Sequence, residues 1–167
     1  MRDASSLAFA VISEPTAPAN ALAASAIYLG AAATGDIATI DAHGFVSIVD
    51  RNKDVIKSGG EWISSIDVEN LALSAPGVAE ACCVGVPHPR YDERPALCVV
   101  CKPGASVSAA AVLAVYHGRV PKWWIPDEVI FVDAIPRTAT GKMSKRELRK
   151  EIADGKHDKG RRVRAKL

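Results

Sequence analysis

The sequence predicts a mixed α+β fold: a small mixed sheet flanked by helices and preceded by a β-hairpin. Three observations carry this reading. Short apolar or alternating runs recur at residues 37–41, 45–49, 78–87, 96–102 and 128–132, bounded by Gly, Pro, Asp and Ser. Two segments behind serines, at 66–73 and 109–117, carry helical signals, and a charged third runs from 144 to about 153. After the charged break at residues 50–54 the elements follow the order ββ-α-β-β-α-β-α, which suits one small sheet with helices packed on it. The length of 167 residues, with 49% hydrophobic and 24% charged, fits one globular domain of ordinary size or barely two small ones.

Each element has a local reason. Residues 1–33 are Ala-rich, carry only Arg2, Asp3 and Glu14 as charges, and show no sustained period, so they read as a poorly specified leader. Residues 42–44 (AHG) form the turn of the hairpin. Residues 55–57 and 62–63 flank a glycine loop, Ser58-Gly59-Gly60-Glu61. Ser64 or Ser65 then caps a helix with Ile66, Val68, Leu71 and Leu73 on its apolar face and Asp67 and Glu69 in its first turn, ended by Pro76-Gly77. The segment HPRYDERP (88–95) reads as a polar loop between two strands. Pro103-Gly104 turns the chain, Ser106 or Ser108 caps the next helix, and Gly118 ends it. Residues 123–126 (WWIP) lead into the last predicted strand, and IPRTATGKM (135–143) is a loop that opens the charged helix.

Charge and cysteine usage exclude several classes. The net charge of +2 is split, because residues 155–167 hold six Lys or Arg against one Asp, so the rest of the chain is mildly acidic. That argues against a general nucleic-acid binder and leaves the tail as a solvated end. No apolar run approaches the roughly 18 to 20 residues that span a bilayer, so neither membrane insertion nor a signal peptide is expected and a cytoplasmic location is read. Cys98 and Cys101 form a C-x-x-C, but on a strand positions i and i+3 point to opposite faces, and adjacent Cys82 and Cys83 share the difficulty. Buried, unreactive thiols are expected, with no protein-built metal site. His43, His88 and His117 lie in ordinary turn, loop and helix-end positions, and Trp123-Trp124 is expected to pack under the final strand.

Three segments are specific in combination: Thr34-Gly35-Asp36 before a strand, DRNKDVIKSGGEWIS at 50–64, and PRTATGK at 136–142. The Gly141-Lys142 pair is not a phosphate-binding loop, since Pro136 stands where its first glycine belongs and Met143 follows the lysine. Together the three resemble the adenylate-forming superfamily of acyl-CoA synthetases, luciferases and peptide-synthetase adenylation domains. The resemblance runs from about residue 34 to 153, and KSGGEWISSIDVE, VPHPRYDERP, KWWIPDEV and TATGK look most like medium- and long-chain fatty-acid–CoA ligases.

The resemblance implies a domain plan. Residues 34–52 would be a hairpin remnant of the large N-terminal domain, 53–154 the small mobile C-terminal lid, and 155–167 a basic tail. It also implies roles. Asp36 would accept hydrogen bonds from the ribose hydroxyls of ATP, and Arg51 would contact the same ribose. Lys53 would be the hinge. Lys57, with Ser58, Gly59, Gly60, Glu61 and Trp62, would face the pantetheine tunnel in the thioester-forming orientation, Trp62 serving either that tunnel or the core. Lys142 would reach the reacting carboxylate and phosphate in the adenylate-forming orientation. Mg²⁺ would arrive with the nucleotide and coenzyme A as co-substrate.

The implied activity is ATP-dependent conversion of a carboxylic, by this likeness fatty, acid to an acyl-adenylate and then to an acyl-CoA thioester. The family's phosphate loop and acyl pocket belong to the large adenylating domain, which is the expected partner, and the chain is expected to be inactive alone. The segment YLGAAATGD departs from the pattern, lacking the aromatic and basic residues usual near the TGD. Two other readings stand beside this one: a lid module acting in trans with a separate adenylating domain or a carrier-protein acceptor, and a salt-sensitive adaptor built on the basic tail.

Overall fold

The computed structural model describes residues 9–11, 35–40, 43–157 and 162–164. The chain divides into two compact units, Met1–Lys53 and Asp54–Leu167.

In the first unit the predicted hairpin is present as β2 (Asp36–Ile40) and β3 (Val46–Arg51), reaching Arg51 where the prediction stopped at Val49. The pairing register shifts between Ile37 and Ala38, so Ile37 faces Asp50 while Ala38 faces Ile48. The leader is not featureless: β1 (Phe9–Val11) pairs antiparallel with β2 and makes the sheet three-stranded. The rest of the predicted leader, with Thr34, lies outside the described residues.

The second unit follows the predicted order and adds a strand. Strands β4 (Ile56–Ser58) and β5 (Glu61–Ile63) form a short hairpin. Helix α1 (Ser65–Leu73) begins at Ser64, whose hydroxyl accepts from the Asp67 amide at 3.1 Å. A long hairpin, β6 (Val78–His88) and β7 (Asp92–Cys101), comes next. Helix α2 (Ala109–Ala114), capped by Ser108, leads through a 3-10 turn at Lys122–Trp124 to β8 (Glu128–Phe131). Helix α3 (Lys145–Ala153), capped by Ser144, precedes β9 (Arg162–Arg164).

Among the described residues the sheet order is β5-β4-β7-β8-β9, with β6 on β7. β8 lies parallel to β7, which requires the crossover that α2 provides.

Alternation along the central strands builds two cores. Ala81, Cys83, Leu97, Val99 and Val129 join Val68, Ala72, Val112 and Tyr116 beneath α1 and α2. Cys82, Val84, Cys98, Ile130 and Val132 join Leu148 and Ile152 beneath α3. The sheet is thus buried on both sides, which explains why its strands read as continuous apolar runs. The two cores put Cys82 and Cys83 on opposite sides of the sheet, as strand geometry demands.

Four local predictions change. The segment 88–95 is mostly strand: β6 runs to His88 and β7 starts at Asp92, leaving residues 89–91 as the turn. Glu69 lies beyond the first turn of α1, and that helix buries Ser65, Val68 and Ala72 while Ile66 and Leu73 are exposed. Helix α2 ends at Ala114, not His117, and unwinds through hydrogen bonds from Tyr116 to Leu113 and from His117 to Ala114. The tail is not wholly solvated, because Arg162 and Arg164 of β9 both hold the buried carboxylate of Glu128, at 2.5 and 3.1 Å. Among the described residues no helix is long and apolar enough to cross a membrane.

Candidate functional site

The glycine segment is a tight turn. Gly59 and Gly60 have φ of 59° and 86°, the left-handed pair that a two-residue hairpin turn of this hand needs. Ser58 and Glu61 face each other across it, and the next pair is Lys57 with Trp62. The Lys57 ammonium stands 6.0 Å from the centre of the half-buried Trp62 ring, at the limit of a cation–π contact. Trp62 therefore flanks Lys57 instead of filling the core, while Ile56 and Ile63 at the base of the hairpin are fully buried.

The tip of this hairpin is fastened to β7 and the turn before it. The Gly59 amide donates to the Tyr91 carbonyl at 2.9 Å. The Lys57 amide donates to Glu93 Oε2 at 3.1 Å. Arg94 Nη1 donates to Ser58 Oγ at 3.0 Å.

Arg94 is only 6% exposed and every donor on its guanidinium is used. Nε and Nη2 grip Asp127, the shortest bond being 2.6 Å, while Nη1 reaches the Trp123 carbonyl at 2.7 Å and Nη2 the Ile125 carbonyl at 3.3 Å. These groups bound a cavity of about 640 Å³ whose wall also includes Gly59, Glu61, Tyr91, His117 and Lys122. Trp123 is 48% exposed on that wall, whereas Trp124 packs against the core; the predicted packing role holds for the second tryptophan only.

Lys142 sits in a separate loop. Arg137 bridges to Met143, the Thr138 amide donates to the Lys142 carbonyl at 2.8 Å, and Gly141 takes a φ of 81°. Arg137 holds this loop twice, donating to the Gly141 carbonyl at 2.9 Å and to both oxygens of Glu80 on β6 at 2.9 Å. Three residues past Lys142, Lys145 makes a mostly buried ion pair with Glu69 of α1 at 2.8 Å.

The two lysine-bearing loops are thus secured at opposite ends of one hairpin. Lys57 hangs from Glu93, the partner of Pro87, and the Lys142 loop hangs from Glu80. Seven residues of β6 separate those points, or about 23 Å of strand at roughly 3.3 Å per residue.

In the first unit Asp36 and Arg51 are register partners on β2 and β3, with Arg51 Nε 3.6 Å from Asp36 Oδ1. Both side chains keep exposure, 27% and 60%, which leaves an acceptor and a cation at the hairpin end. Behind them the Asn52 amide donates to the Gly35 carbonyl at 2.8 Å. Lys53, the predicted hinge, is the last residue of this unit.

The cysteines stay apart from this chemistry. All four are free; Cys82, Cys83 and Cys98 are buried, while Cys101 is only half-buried. Burial pushes the Cys82 and Cys98 thiols up to about 12 and raises Cys83 as well, so thiolates are scarce near neutrality. Glu93, Arg94, Asp127, Arg137 and Glu80 were invisible as site residues in the sequence. One signal was present: Arg94 and Glu93 directly precede the apolar run of β7, where a continued strand would draw them inward.

The fold points to a class of domain: residues 67–142 match the family described as AMP-binding enzyme C-terminal domain. Those residues carry this C-terminal domain, and the relatives that the chain matches are named as acyl-CoA ligases. It is 53% identical to a 3-methylmercaptopropionyl-CoA ligase of Ruegeria lacuscaerulensis over 73% of this chain and 23% of the relative. It is 44% identical to a medium-chain-fatty-acid–CoA ligase of Ectopseudomonas oleovorans over 72% of this chain and 22% of the relative. Among solved structures, ATP-bound MatB of Rhodopseudomonas palustris superposes with a TM-score of 0.68 at 37% identity, covering 73% of this chain and 24% of that one. The chain therefore spans about a quarter of the length of these relatives.

Proposed function

We propose that the chain is the C-terminal portion of an AMP-forming acid–thiol ligase and that it acts only together with a large adenylating domain. In the first half-reaction a carboxylate oxygen attacks the α-phosphorus of ATP, giving an acyl-adenylate and pyrophosphate. In the second, the thiol of coenzyme A attacks the acyl carbonyl and AMP leaves.

Asp36 and Arg51 offer what a ribose needs, an acceptor for hydroxyls beside a cation. Lys142 would stabilise the negative charge that develops in adenylation. Lys57 and the Gly59-Gly60 turn would face the thiol, whose pantetheine arm needs close approach to backbone. Mg²⁺ would travel with the nucleotide phosphates.

The observation that carries this reading is the placement of Lys57 and Lys142 on separately anchored loops at opposite ends of one hairpin. A body built that way offers either lysine to one point by turning, with Lys53 as the joint. A fatty acid is the acyl group we favour, on the motif likeness and the 44% identity to a medium-chain ligase. The 53% identity to a 3-methylmercaptopropionyl-CoA ligase makes a short thioether-bearing acid the second candidate.

The test replaces the last quarter of the Ectopseudomonas oleovorans ligase with residues 34–167 of this chain. Thioester synthesis from fatty acid, ATP, Mg²⁺ and coenzyme A is expected from the fusion, and none from the chain by itself. Lys142→Ala in the fusion should stop pyrophosphate release yet spare thioester formation from preformed acyl-adenylate, and Lys57→Ala should do the reverse. Turnover by the isolated chain, or equal effects of both variants on both steps, would overturn the proposal.

A further inference from the structure

The hairpin that bears Lys57 has two strands of three residues each, too little to be stable as an isolated element. Its base is anchored by buried Ile56 and Ile63, but its tip carries two glycines and an exposed lysine. What holds the tip is a run of neighbours on one short stretch. Tyr91, Glu93 and Arg94 take up the Gly59 amide, the Lys57 amide and the Ser58 hydroxyl, and Ser58 also bridges to Asp92 in the sheet.

Two further details make this a built seat. The Glu93 carboxylate lies over Gly85 of β6, where an added Cβ would stand 2.6 Å from Oε2, so the absence of a side chain at 85 makes room for it. Arg94, through the same guanidinium that meets Ser58, also fixes the Trp123 and Ile125 carbonyls across the cavity and is itself fixed by Asp127. One side chain thereby sets the spacing between the glycine turn and the facing wall.

We propose that Glu93 and Arg94 are positioning residues for the thiol half-reaction: Glu93 fixes the backbone of Lys57, and Arg94 fixes the distance from the glycine turn to the wall at residues 123–125. This rests on reading the glycine turn as the thiol-facing element. Neither residue need touch a substrate. Their effect passes through Lys57 and Ser58, and misplacement of a reacting group by about 1 Å costs on the order of 100-fold in rate.

The experiment uses the fusion described above and the chain itself. Arg94→Lys keeps a cation for Asp127 but cannot serve Ser58 and both carbonyls together. Glu93→Ala removes the acceptor, Glu93→Gln retains one, and Gly85→Ala displaces the carboxylate without altering it.

Arg94→Lys, Glu93→Ala and Gly85→Ala are each expected to slow thioester formation from preformed acyl-adenylate by roughly 10- to 100-fold. Pyrophosphate release should stay within about twofold, and Glu93→Gln should recover most of the lost rate. In the chain alone, amide hydrogen exchange at Gly59 should accelerate in Arg94→Lys while the β6 amides stay protected.

Equal loss in both half-reactions, or unchanged exchange at Gly59, would overturn the proposal. If Arg94→Lys does not fold, Ser58→Ala removes only the contact at issue, and an unaltered thioester rate in it overturns the role of Arg94. An intact thioester step in Lys57→Ala would instead remove the reading of the turn on which this rests, and so marks that failure separately.

Discussion

Tyr116 heads the fully buried side chains among the described residues, and its hydroxyl donates to the Val68 carbonyl at 2.8 Å. That bond ties the turn after α2 to α1 across the core. Burial raises the phenol well above its ordinary range, so it stays protonated and remains a donor at any working pH. The Val68 carbonyl lies within α1, where helix geometry also offers it the amide four residues on, so loss of the phenol would not orphan a buried acceptor. Tyr116→Phe is therefore expected to cost about 1 kcal/mol of unfolding free energy, without the larger penalty of a stranded polar group. Urea denaturation followed by tryptophan fluorescence checks this, and a loss above about 3 kcal/mol would mean the hydroxyl serves further partners. Arg94 is the opposite case. A guanidinium with no exposed donor leaves Asp127 and two carbonyls behind when truncated, so its removal belongs with the more damaging class of substitutions.

The elements show what was legible and what was not. The order of strands and helices after residue 54 could be read because each apolar run is short and each helix begins at a serine that does cap it, Ser64, Ser108 and Ser144. Ser64→Ala should destabilise the second unit by about 1 kcal/mol, measurable as a lower urea midpoint with unchanged slope. Ser144 should matter less, since its bond to Glu147 is long at 3.4 Å and exposed. What escaped the sequence were places where a distant partner changes the meaning of a polar residue. Residues 92–95 read as a solvated loop because nothing local announces that Arg94 meets Asp127, thirty-three positions away. The tail read as solvent-facing for the same reason, as Glu128 lies thirty-four positions before Arg162. The apolar stripe of α1 was misjudged because Ser65 packs inward beside Lys145, so the helix turns Ile66 and Leu73 outward. For the site, the motifs marked Lys57, Lys142, Asp36 and Arg51 as candidates, but the residues that hold the two lysines in place lie on β6 and β7.

At the scale of the whole second unit, the β6–β7 hairpin works as a rod with a differently anchored loop at each end. At one end the anchor is the buried fork of Arg94. At the other it is Arg137, whose pair with Glu80 is half exposed, so its worth to stability is about 0–1 kcal/mol despite the two-oxygen grip. The rod is stiff because its residues contribute to two packed cores, and the anchors share no partner. Substitutions that far apart should add. Arg94→Lys and Arg137→Lys combined are therefore expected to shift unfolding free energy by the sum of the single shifts within about 0.5 kcal/mol. Their functional effects should separate completely. In the fusion, Arg137→Lys loosens the loop of Lys142 and should slow pyrophosphate release while sparing thioester formation from preformed acyl-adenylate, the mirror of Arg94→Lys. The double variant should carry both defects unchanged in size. A loss in Arg137→Lys confined to the thioester step, or strong non-additivity in stability, would mean the two ends communicate through the sheet and that the rod is not rigid between Glu80 and Glu93.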